Sequence, residues 1–307
     1  MINDIEKLKQ LLQLPDMGGY KEEMFRDFPL QVPPNFVKRI KPKDIRDPLL
    51  LQILPQPCEQ QDVQGFVLDP IAEQKYSPLP GVIHKYPDRI LLLVTDACAL
   101  NCRFCFRKAL RTKICAWHQV FNYIDEHAAI SEVILSGGDP LLLDNEELVE
   151  IIQQLAAIFH IKRLRIHSRI PIIMPELVSF NLTQTRLPIV LVIHCNHPNE
   201  INTEVAQVLE ELRCSGITVL NQSVLLQGIN DDPEVLLALS EKLFSVGVLP
   251  YYLHVMDKVK GAAHFYVNIN RARELYFELQ AQLAGYLVPK LVVEIENRKY
   301  ILGTYDY

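Results

Sequence analysis

The sequence predicts an α/β fold, a partial barrel of six β/α units with a helical N-terminal arm and a C-terminal hairpin. From about residue 88, short apolar runs alternate with longer segments of helical spacing, as parallel strands alternate with crossover helices. Polar residues follow the apolar runs, and a β/α barrel builds its site from the loops after its strands. Six units fall short of the eight that close a barrel, which favours an open one.

The individual elements follow from their own residues. Before residue 80, NDIEKLKQLLQL and DPLLLQILPQ have helical spacing, and prolines repeatedly interrupt the region. The strand candidates are RILLLVTD, SEVILSGGD, KRLRIHSR, IVLVIHC, ITVLNQSVLL and VLPYYLHVMD. Helical patterns lie between them, with predicted N-caps at Asn145, Asn202 and Asp232 and predicted helix ends at Gly216 and Gly247.

The last part of the chain predicts a helix, NINRARELYFELQAQLAG, and then a β-hairpin, YLVPKLVVEIENRKYILG. These patterns divide the chain into three parts. We expect a helical arm over 1–80, the partial barrel over 81–260, and a closing helix and hairpin over 261–307.

Composition narrows the classes of function. The chain has 307 residues, of which 49% are hydrophobic, so a large core can form. Its 31 Lys and Arg against 37 Asp and Glu leave no basic stripe, which argues against a nucleic-acid partner. No apolar run is long enough to span a bilayer, and the N-terminus lacks a signal core. Seven cysteines in a large chain favour a reducing cytoplasm and thiols that bind metal.

Three cysteines form the most informative motif. Cys98, Cys102 and Cys105 lie in DACALNCRFCF, directly after an apolar run, and the nearest His after the motif is His118. One interpretation is a zinc site that a remote Cys or His completes. The other is a [4Fe–4S] cluster with one iron left open for an external ligand. The position after a strand, at the mouth of a barrel, favours the cluster. Cys58, Cys115, Cys195 and Cys214 have no partner spacing and are expected to be buried small residues.

The motif C-x3-C-x2-C, with Phe104 before the last cysteine, resembles the signature of the radical S-adenosylmethionine (SAM) superfamily. The resemblance implies a radical SAM partial barrel in which SAM chelates the open iron. SGGDP, at 136–140, resembles the Gly-Gly-acid motif that ends the second strand of that superfamily. Its glycines would let the backbone approach the amino-acid part of SAM closely. The SAM-binding residues implied in this way are Phe104, Gly137, Gly138, Asp139, Ser168, Arg169, His194, Asn221 and Gln222.

Further segments resemble the lysine 2,3-aminomutase family, in order from about residue 65 to 295. They are HKYPDRILLLVTDACALNCRFCFRK, VILSGGDPLLL, RIHSRIP, HCNHPNEI, NQSVLLQGIND and YYLHVMDKVKGAAHF. The segment HVMDKVKGAAHF and the short C-terminal part look closest to the branch that supplies (R)-β-lysine for modifying elongation factor P.

The family resemblance implies a second cofactor, pyridoxal 5′-phosphate (PLP), and roles for five charged residues. Lys85 and Arg89 would bind the PLP phosphate, and Arg107 would bind the substrate carboxylate. Asp257 would bind the distal ammonium group of lysine, and Glu294 would provide a second acidic contact. Taken alone, Lys85 and Arg89 are typical of ordinary solvated basic residues, Arg107 of a salt-bridged helix arginine, and Glu294 of a solvated hairpin carboxylate.

The lysine that bonds covalently to PLP is the point at which the sequence departs from the family. In the family this lysine follows a glycine-rich loop, whereas here the chain reads VVEIENRKYILGTYDY. Lys299 is the nearest candidate if the loop is shortened by two residues. Lys290, Lys258 and Lys260 fit less well.

Together these features predict a cytoplasmic radical SAM, PLP-dependent aminomutase, an isomerase that converts L-α-lysine to β-lysine. It would need an external one-electron reductant, and a homo-oligomer is left open. Two alternatives remain at this stage. One is a radical SAM enzyme without PLP that acts on another substrate, and the other is a non-catalytic scaffold with a structural metal.

Overall fold

One curled sheet of nine strands organises the residues that the structure describes, which are 1–15, 25–109, 113–114, 116–178, 185–295 and 298–302. The structure is a computed structural model. The strands are β1 (Val82–Tyr86), β2 (Arg89–Thr95), β3 (Glu132–Gly137), β4 (Arg163–Ser168), β5 (Ile189–Ile193), β6 (Thr218–Leu225), β7 (Leu249–Val255), β8 (Lys290–Ile295) and β9 (Arg298–Ile301). They lie side by side in chain order.

The strands β2 to β8 are all parallel, and the edge strands β1 and β9 run antiparallel to their neighbours. The sheet thereby forms a half barrel, with the carboxyl ends of seven strands at one rim. Loops that follow neighbouring parallel strands meet at that rim, which places their side chains around a common space.

Helices connect the strands and cover the outer face. The α-helices among the described residues are α1 (Ile5–Leu12), α2 (Pro34–Val37), α3 (Pro48–Leu51), α4 (Trp117–Glu126), α5 (Asn145–Ala157), α6 (Ile170–Ile173), α7 (Thr203–Cys214), α8 (Pro233–Ser245) and α9 (Ile269–Gln282). Short 3₁₀ turns span Pro57–Gln60, Glu73–Tyr76, Pro140–Leu142, Pro175–Leu177, Pro198–Glu200, Ala263–Phe265 and Gly285–Leu287.

The helix termini largely follow the sequence signals. The side chains of Asn202 and Asp232 accept hydrogen bonds from the backbone amides at the starts of α7 and α8. Gly216 and Gly247 follow the ends of these helices with φ of 83° and 76°. The prediction for α5 was wrong by one residue: Asp144 is the N-cap, and Asn145 is the first helical residue.

The first 80 residues pack directly on the barrel. Leu8, Phe36 and Leu50 are fully buried in the same core cluster as Leu135 and Leu191 from the middle of the sheet. Burial of this apolar area is the main force that attaches the arm. The division into three segments stays a prediction.

The six predicted strands are all present, as β2 to β7, and the predicted hairpin forms β8 and β9. Two features were not predicted. β1, which contains HKY, is an additional antiparallel edge strand. β8 pairs in parallel with β7, so the hairpin extends the barrel sheet. No helix in the described ranges has the length and apolar character required to cross a bilayer.

Candidate functional site

The concave side of the half barrel contains a cavity of about 470 Å³. A volume of this size is within the range of small-molecule and cofactor sites. The structure brings together all but one of the predicted site residues along its wall. These are Cys98, Cys102, Cys105, Phe104, Gly137, Gly138, Asp139, Ser168, Arg169, His194, Gln222, Lys85, Arg89, Arg107, Asp257, Glu294 and Lys299.

Asn221 is the exception, because it does not line this cavity, and its contact with SAM stays a prediction. Its side chain accepts a hydrogen bond from the backbone amide of Cys195 and donates to the carbonyl of Cys195 and to Ser223. Neighbouring residues of a strand point to opposite faces. Because Gln222 faces the cavity, Asn221 faces the helices and links β6 to the end of β5.

The N-terminal arm holds the loop that carries the three cysteines. The amide of Gln31 donates to the carbonyl of Cys98 at 2.6 Å. The backbone amide of Arg103 donates to the carbonyl of Gln52 at 2.9 Å. The Arg103 side chain, which is 1% exposed, forms a bidentate ion pair with Glu59. These contacts fix the path of the loop before any ligand binds.

The three thiols are half-buried at the base of the cavity. The guanidinium of Arg169 donates to the Cys102 sulfur at 2.8 Å, and it also bonds to Gln52 and Glu200. In the described part of the chain, no three candidate ligand side chains already converge on one metal position.

The other cysteines differ from one another. Cys195 is buried as expected, whereas Cys58 is half-buried and Cys214 is exposed. The expectation of burial was therefore wrong for Cys214, which lies at the solvent-facing end of α7. Cys115 is outside the described residues.

The Gly-Gly-Asp segment packs against the start of the cysteine loop. Gly138 lies so close that a Cβ atom there would be 2.0 Å from the carbonyl oxygen of Ala97. Gly137 has a φ of 113°, and a Cβ there would be 2.5 Å from the carbonyl oxygen of Thr95. The amides of Gly138 and Asp139 donate to these same two carbonyls. The close approach that the sequence suggested is therefore made first to the chain's own backbone.

Asp139 joins the ends of β3 and β4. Its carboxylate accepts hydrogen bonds from the Ser168 hydroxyl at 2.6 Å and from the backbone amides of Arg169, Ile170 and Leu141. Burial raises the pKa of Asp139 to about 6, although these hydrogen bonds favour the ionised form. Because the Asp139 carboxylate already accepts four hydrogen bonds, its role is to hold the ends of β3 and β4 together.

Three imidazoles line the middle of the cavity. Burial lowers the pKa of His194 to about 3, with a further contribution from Arg169, and it lowers the pKa of His167 and His254 well below the usual value. All three are therefore neutral near pH 7. The ring of His194 lies 5.5 Å from that of Phe104. The three imidazoles therefore form a polar but uncharged part of the cavity wall.

Arg107 has a partner that the sequence did not reveal. Its Nε atom donates to both carboxylate oxygens of Glu73, at 3.1 and 2.9 Å, and its Nη2 atom also contacts Glu73. Its Nη1 atom donates to the Ser136 hydroxyl at 3.3 Å. Burial lowers the pKa of Arg107, but Glu73 more than offsets this, so the net shift is upward.

Asp257 and Lys299 have opposite charges and shifted pKa values. Burial raises the pKa of Asp257 to about 6, while Lys299 and Lys85 oppose the shift. Burial among protein groups lowers the pKa of Lys299 to about 8, with a contribution from Arg165 and an opposing one from Asp257. The Lys299 ammonium lies 4.6 Å from the centroid of the Tyr252 ring.

The opposite edges of the half barrel meet across the cavity. Lys85 of β1 forms an ion pair with Glu294 of β8. The backbone amide of Lys299 donates to the Tyr86 hydroxyl at 3.2 Å. The guanidinium of Arg89 lies 4.0 Å from the centroid of the Tyr86 ring. Lys85 and Glu294, which the sequence assigned to different ligands, are direct partners in this structure.

Sequence reasoning gave no role to four cavity residues, although it placed His167 and His254 among the polar residues at the carboxyl ends of strands. Arg165, His167, Tyr252 and His254 all line the cavity. A signal was available, since polar and aromatic residues alternate with Leu, Ile and Val along β4 and β7. Glu73 had no such signal.

The residues present fit the groups that the predicted chemistry requires. Three thiols on one loop can supply three ligands of a [4Fe–4S] cluster and leave one iron open. Lys299, with its lowered pKa, has the amine that a covalent PLP site needs. Both features open onto the same cavity.

Comparison with known proteins agrees with this geometry. Residues 92–239 match the Radical SAM superfamily. The chain is 48% identical to L-lysine 2,3-aminomutase of Buchnera aphidicola, over 87% of this chain and 81% of that protein. It is 42% identical to L-lysine 2,3-aminomutase of Haemophilus influenzae, over 96% of this chain and 90% of that protein.

Among solved structures, the chain is similar to a radical SAM methyltransferase from Sphaerobacter thermophilus, with 17% identity and a TM-score of 0.49. That similarity covers 70% of this chain and 69% of the other. The sequence relationships are closer and extend over most of the chain. The protein therefore belongs to the L-lysine 2,3-aminomutase family of the radical SAM superfamily.

Proposed function

We propose that this enzyme converts L-α-lysine to β-lysine by moving the amino group from C2 to C3 and a hydrogen atom from C3 to C2. The observation that carries the proposal is the content of one cavity. Three thiols, the guanidinium of Arg107, the carboxylate of Asp257 and a lysine of lowered pKa all line it. The reaction is an isomerisation, so it consumes no oxidant or reductant overall.

The implied cofactors are a [4Fe–4S] cluster, SAM and PLP, in accordance with the superfamily and the aminomutase relatives. When bound, the cluster and SAM supply a 5′-deoxyadenosyl radical on reduction by an external one-electron donor, and PLP delocalises the unpaired electron. Cys98, Cys102 and Cys105 would bind the cluster. The half-buried location of these thiols limits access of water and oxygen.

The chain's own residues would position SAM beside the cluster. The apolar ring of Phe104 and the neutral imidazole of His194, tilted by 44° to each other, line the cavity together with the thiols. Gln222 presents an amide from β6, and the backbone of Gly137 and Gly138 presents hydrogen-bonding groups at the end of β3. Ser168 and Arg169 hold this rim together through Asp139 and Cys102.

Substrate lysine has a carboxylate at one end and an ammonium group at the other. Arg107 would bind the carboxylate, because a guanidinium matches its geometry. Asp257 would bind the distal ammonium, and this second charge would offset the cost of its burial. Glu294 lies in the same cavity as a second acidic group, paired with Lys85.

Lys299 would hold PLP covalently, and Arg89 and Lys85 would bind its phosphate. About a tenth of an amine with a pKa of about 8 is uncharged at pH 7, against about one part in 3,000 at the usual lysine pKa. The uncharged amine is the nucleophile, so the cavity environment increases its reactivity.

We further propose that the product is (R)-β-lysine, that it serves the modification of elongation factor P, and that the enzyme acts in the cytoplasm. The support is the resemblance of HVMDKVKGAAHF to that branch of the family. Chiral chromatography of the product tests the first part. Transfer of the purified product to elongation factor P by its ligase tests the second.

One experiment tests the central proposal. Iron and sulfide are reconstituted anaerobically, and SAM, PLP, dithionite and L-lysine are added. We expect both β-lysine and 5′-deoxyadenosine. Cleavage of SAM without β-lysine, in assays with and without PLP, would favour a radical SAM enzyme that acts on another substrate. Absence of both the cluster and SAM cleavage would contradict the proposal.

A further inference from the structure

The Glu73–Arg107 pair is a charged contact of the cavity to which the proposed function gives no role. Both side chains are largely buried, with 14% and 15% exposure, and the pair joins segments 34 positions apart. A guanidinium has five N–H donors. Glu73 binds the edge formed by Nε and Nη2, and Ser136 takes one donor of Nη1. One N–H donor on Nη1 and one on Nη2 therefore remain for a second carboxylate.

The turn that presents Glu73 is constrained. Ala72, directly before it, has φ of 49° in the left-handed region, which residues with a Cβ atom rarely adopt. Asp69 accepts hydrogen bonds from the amides of Glu73 and Gln74, which fixes the start of the turn. Backbone strain of this kind persists only where surrounding contacts enforce it. The chain therefore directs the Glu73 carboxylate towards Arg107.

Two further groups of the cavity lie close enough to interact with the charge of Arg107. Besides Glu73, the Cys105 thiol and the Asp257 carboxylate interact with its charge. If a buried guanidinium loses its ion-pair partner, pairing with another carboxylate is favoured, because an unpaired buried charge is costly in free energy. After Glu73, Asp257 is the carboxylate of the cavity whose charge acts on Arg107. If Arg107 and Asp257 paired with each other, neither would be available to bind lysine.

We propose that Glu73 is a positioning residue for substrate: it holds Arg107 by one edge, directs the remaining donors at the substrate carboxylate, and keeps Arg107 apart from Asp257. The ligand class is an α-amino acid with a distal cation, whose two ends require separated opposite charges. This inference rests on the proposed function, in which Arg107 binds the carboxylate and Asp257 the distal ammonium.

Binding of two ligands to the reconstituted enzyme tests the proposal. The enzyme contains cluster, SAM and PLP but no reductant, so no turnover occurs, and calorimetry measures the affinity. L-lysine has the carboxylate, whereas L-lysinamide has a neutral amide in its place. We expect Glu73→Gln to weaken L-lysine binding by about tenfold or more, because a charge-assisted contact loses its orientation. Binding of L-lysinamide should change by less than about twofold.

Further variants separate positioning from a general structural effect. Glu73→Asp keeps the charge on a shorter side chain and should restore part of the preference for L-lysine. Glu274→Gln removes a surface partner of Arg271 and should leave both affinities unchanged. With reductant present, Glu73→Gln should raise the KM for lysine more than it lowers kcat.

The outcomes distinguish this inference from the proposed function. Unchanged or tighter L-lysine binding by Glu73→Gln overturns the positioning role, and tighter binding would identify Glu73 as a competitor of the substrate. If Arg107→Lys also leaves L-lysine binding unchanged, the substrate role of Arg107 is wrong, and the inference fails with it. If only Arg107→Lys weakens binding, the proposed function stands and the role of Glu73 is overturned.

Discussion

Burial and neighbouring charges set the protonation of individual side chains in the cavity, and these determine which residues can bind or react near neutral pH. The imidazoles of His167, His194 and His254 are neutral because ionisation in a buried position is costly. Lys299 and Asp257 keep pKa values of about 8 and about 6, close enough to neutrality to be tested by titration.

Covalent binding of PLP should depend on pH through Lys299. The uncharged amine forms as pH rises through about 8, so the yield of borohydride-trapped PLP should increase from pH 6 to 9 with a midpoint near 8. Lys299→Ala should abolish the trapped product, and peptide mapping should place the label on Lys299 in the parent enzyme. Lys290→Ala serves as the matched control and should retain the label. A label on any other lysine would show that the assignment is wrong.

Lysine binding should fall as pH decreases through about 6, because protonation of Asp257 removes the charge that binds the distal ammonium. The sign follows from the raised pKa: the carboxylate is ionised above about 6 and neutral below it. Asp257→Asn should weaken binding by about 100-fold, the loss expected when a charge-assisted contact is removed from a buried site. Norleucine lacks the distal ammonium group of lysine, so the parent enzyme and the Asp257→Asn variant should bind it with equal affinity. Equal affinity for lysine in the two proteins would contradict the role of Asp257.

At the scale of elements, the end of β3 supports the cysteine loop through backbone contacts that only glycine permits. Gly138→Ala would place a Cβ atom 2.0 Å from a backbone oxygen, and neither element can move without disturbing its hydrogen bonds. We expect the free energy of unfolding to fall by at least about 1–3 kcal/mol, as in overpacked sites. We also expect the purified protein to contain less iron. Thermal unfolding and iron content per chain measure the two effects.

Gly285→Ala is the control for this substitution, since no atom lies within 4 Å of a Cβ built there. It should leave iron content and stability close to those of the parent protein. If Gly138→Ala also retained its cluster and cleaved SAM at the parent rate, close packing of β3 against the loop would not be needed for cluster binding.

The sequence predicted most elements because their signals are local. The six strands β2 to β7 have either an apolar run or apolar residues that alternate with polar ones, and the caps at Asn202 and Asp232 precede helical spacing. The parallel pairing of β8 with β7 was not predictable, since it depends on where the hairpin packs. Which of Asn221 and Gln222 lines the cavity was not predictable for a similar reason: the strand was correct, but the residue that faces the cavity is Gln222. Glu73 was missed because its contact is made across the fold.

At the scale of the molecule, the first 80 residues are part of the catalytic structure. They supply Gln31, Gln52 and Glu59, which bind the cysteine loop, and Glu73, which binds Arg107. They also share one apolar core with the sheet. Changes in this arm are therefore expected to alter both the stability of the fold and the content of iron.

The buried Arg103–Glu59 pair provides the sharpest test of that coupling. Arg103 is 1% exposed and lies between Cys102 and Cys105, and within the described residues the carboxylate of Glu59 is its ion-pair partner. Glu59→Gln would leave a buried guanidinium without its counter-charge, which costs about 3–5 kcal/mol. At about 2–4 °C per kcal/mol, Tm should fall by roughly 10 °C, and iron content should fall with it.

Glu274→Gln, which removes an exposed ion pair with Arg271, is the control and should cost less than about 1 kcal/mol. Replacing both buried partners, by Glu59→Leu with Arg103→Met, should recover part of the stability without restoring the cluster, because the packing returns while the contacts that orient the loop do not. Recovery of the cluster in this double variant would show that apolar packing alone positions the cysteines.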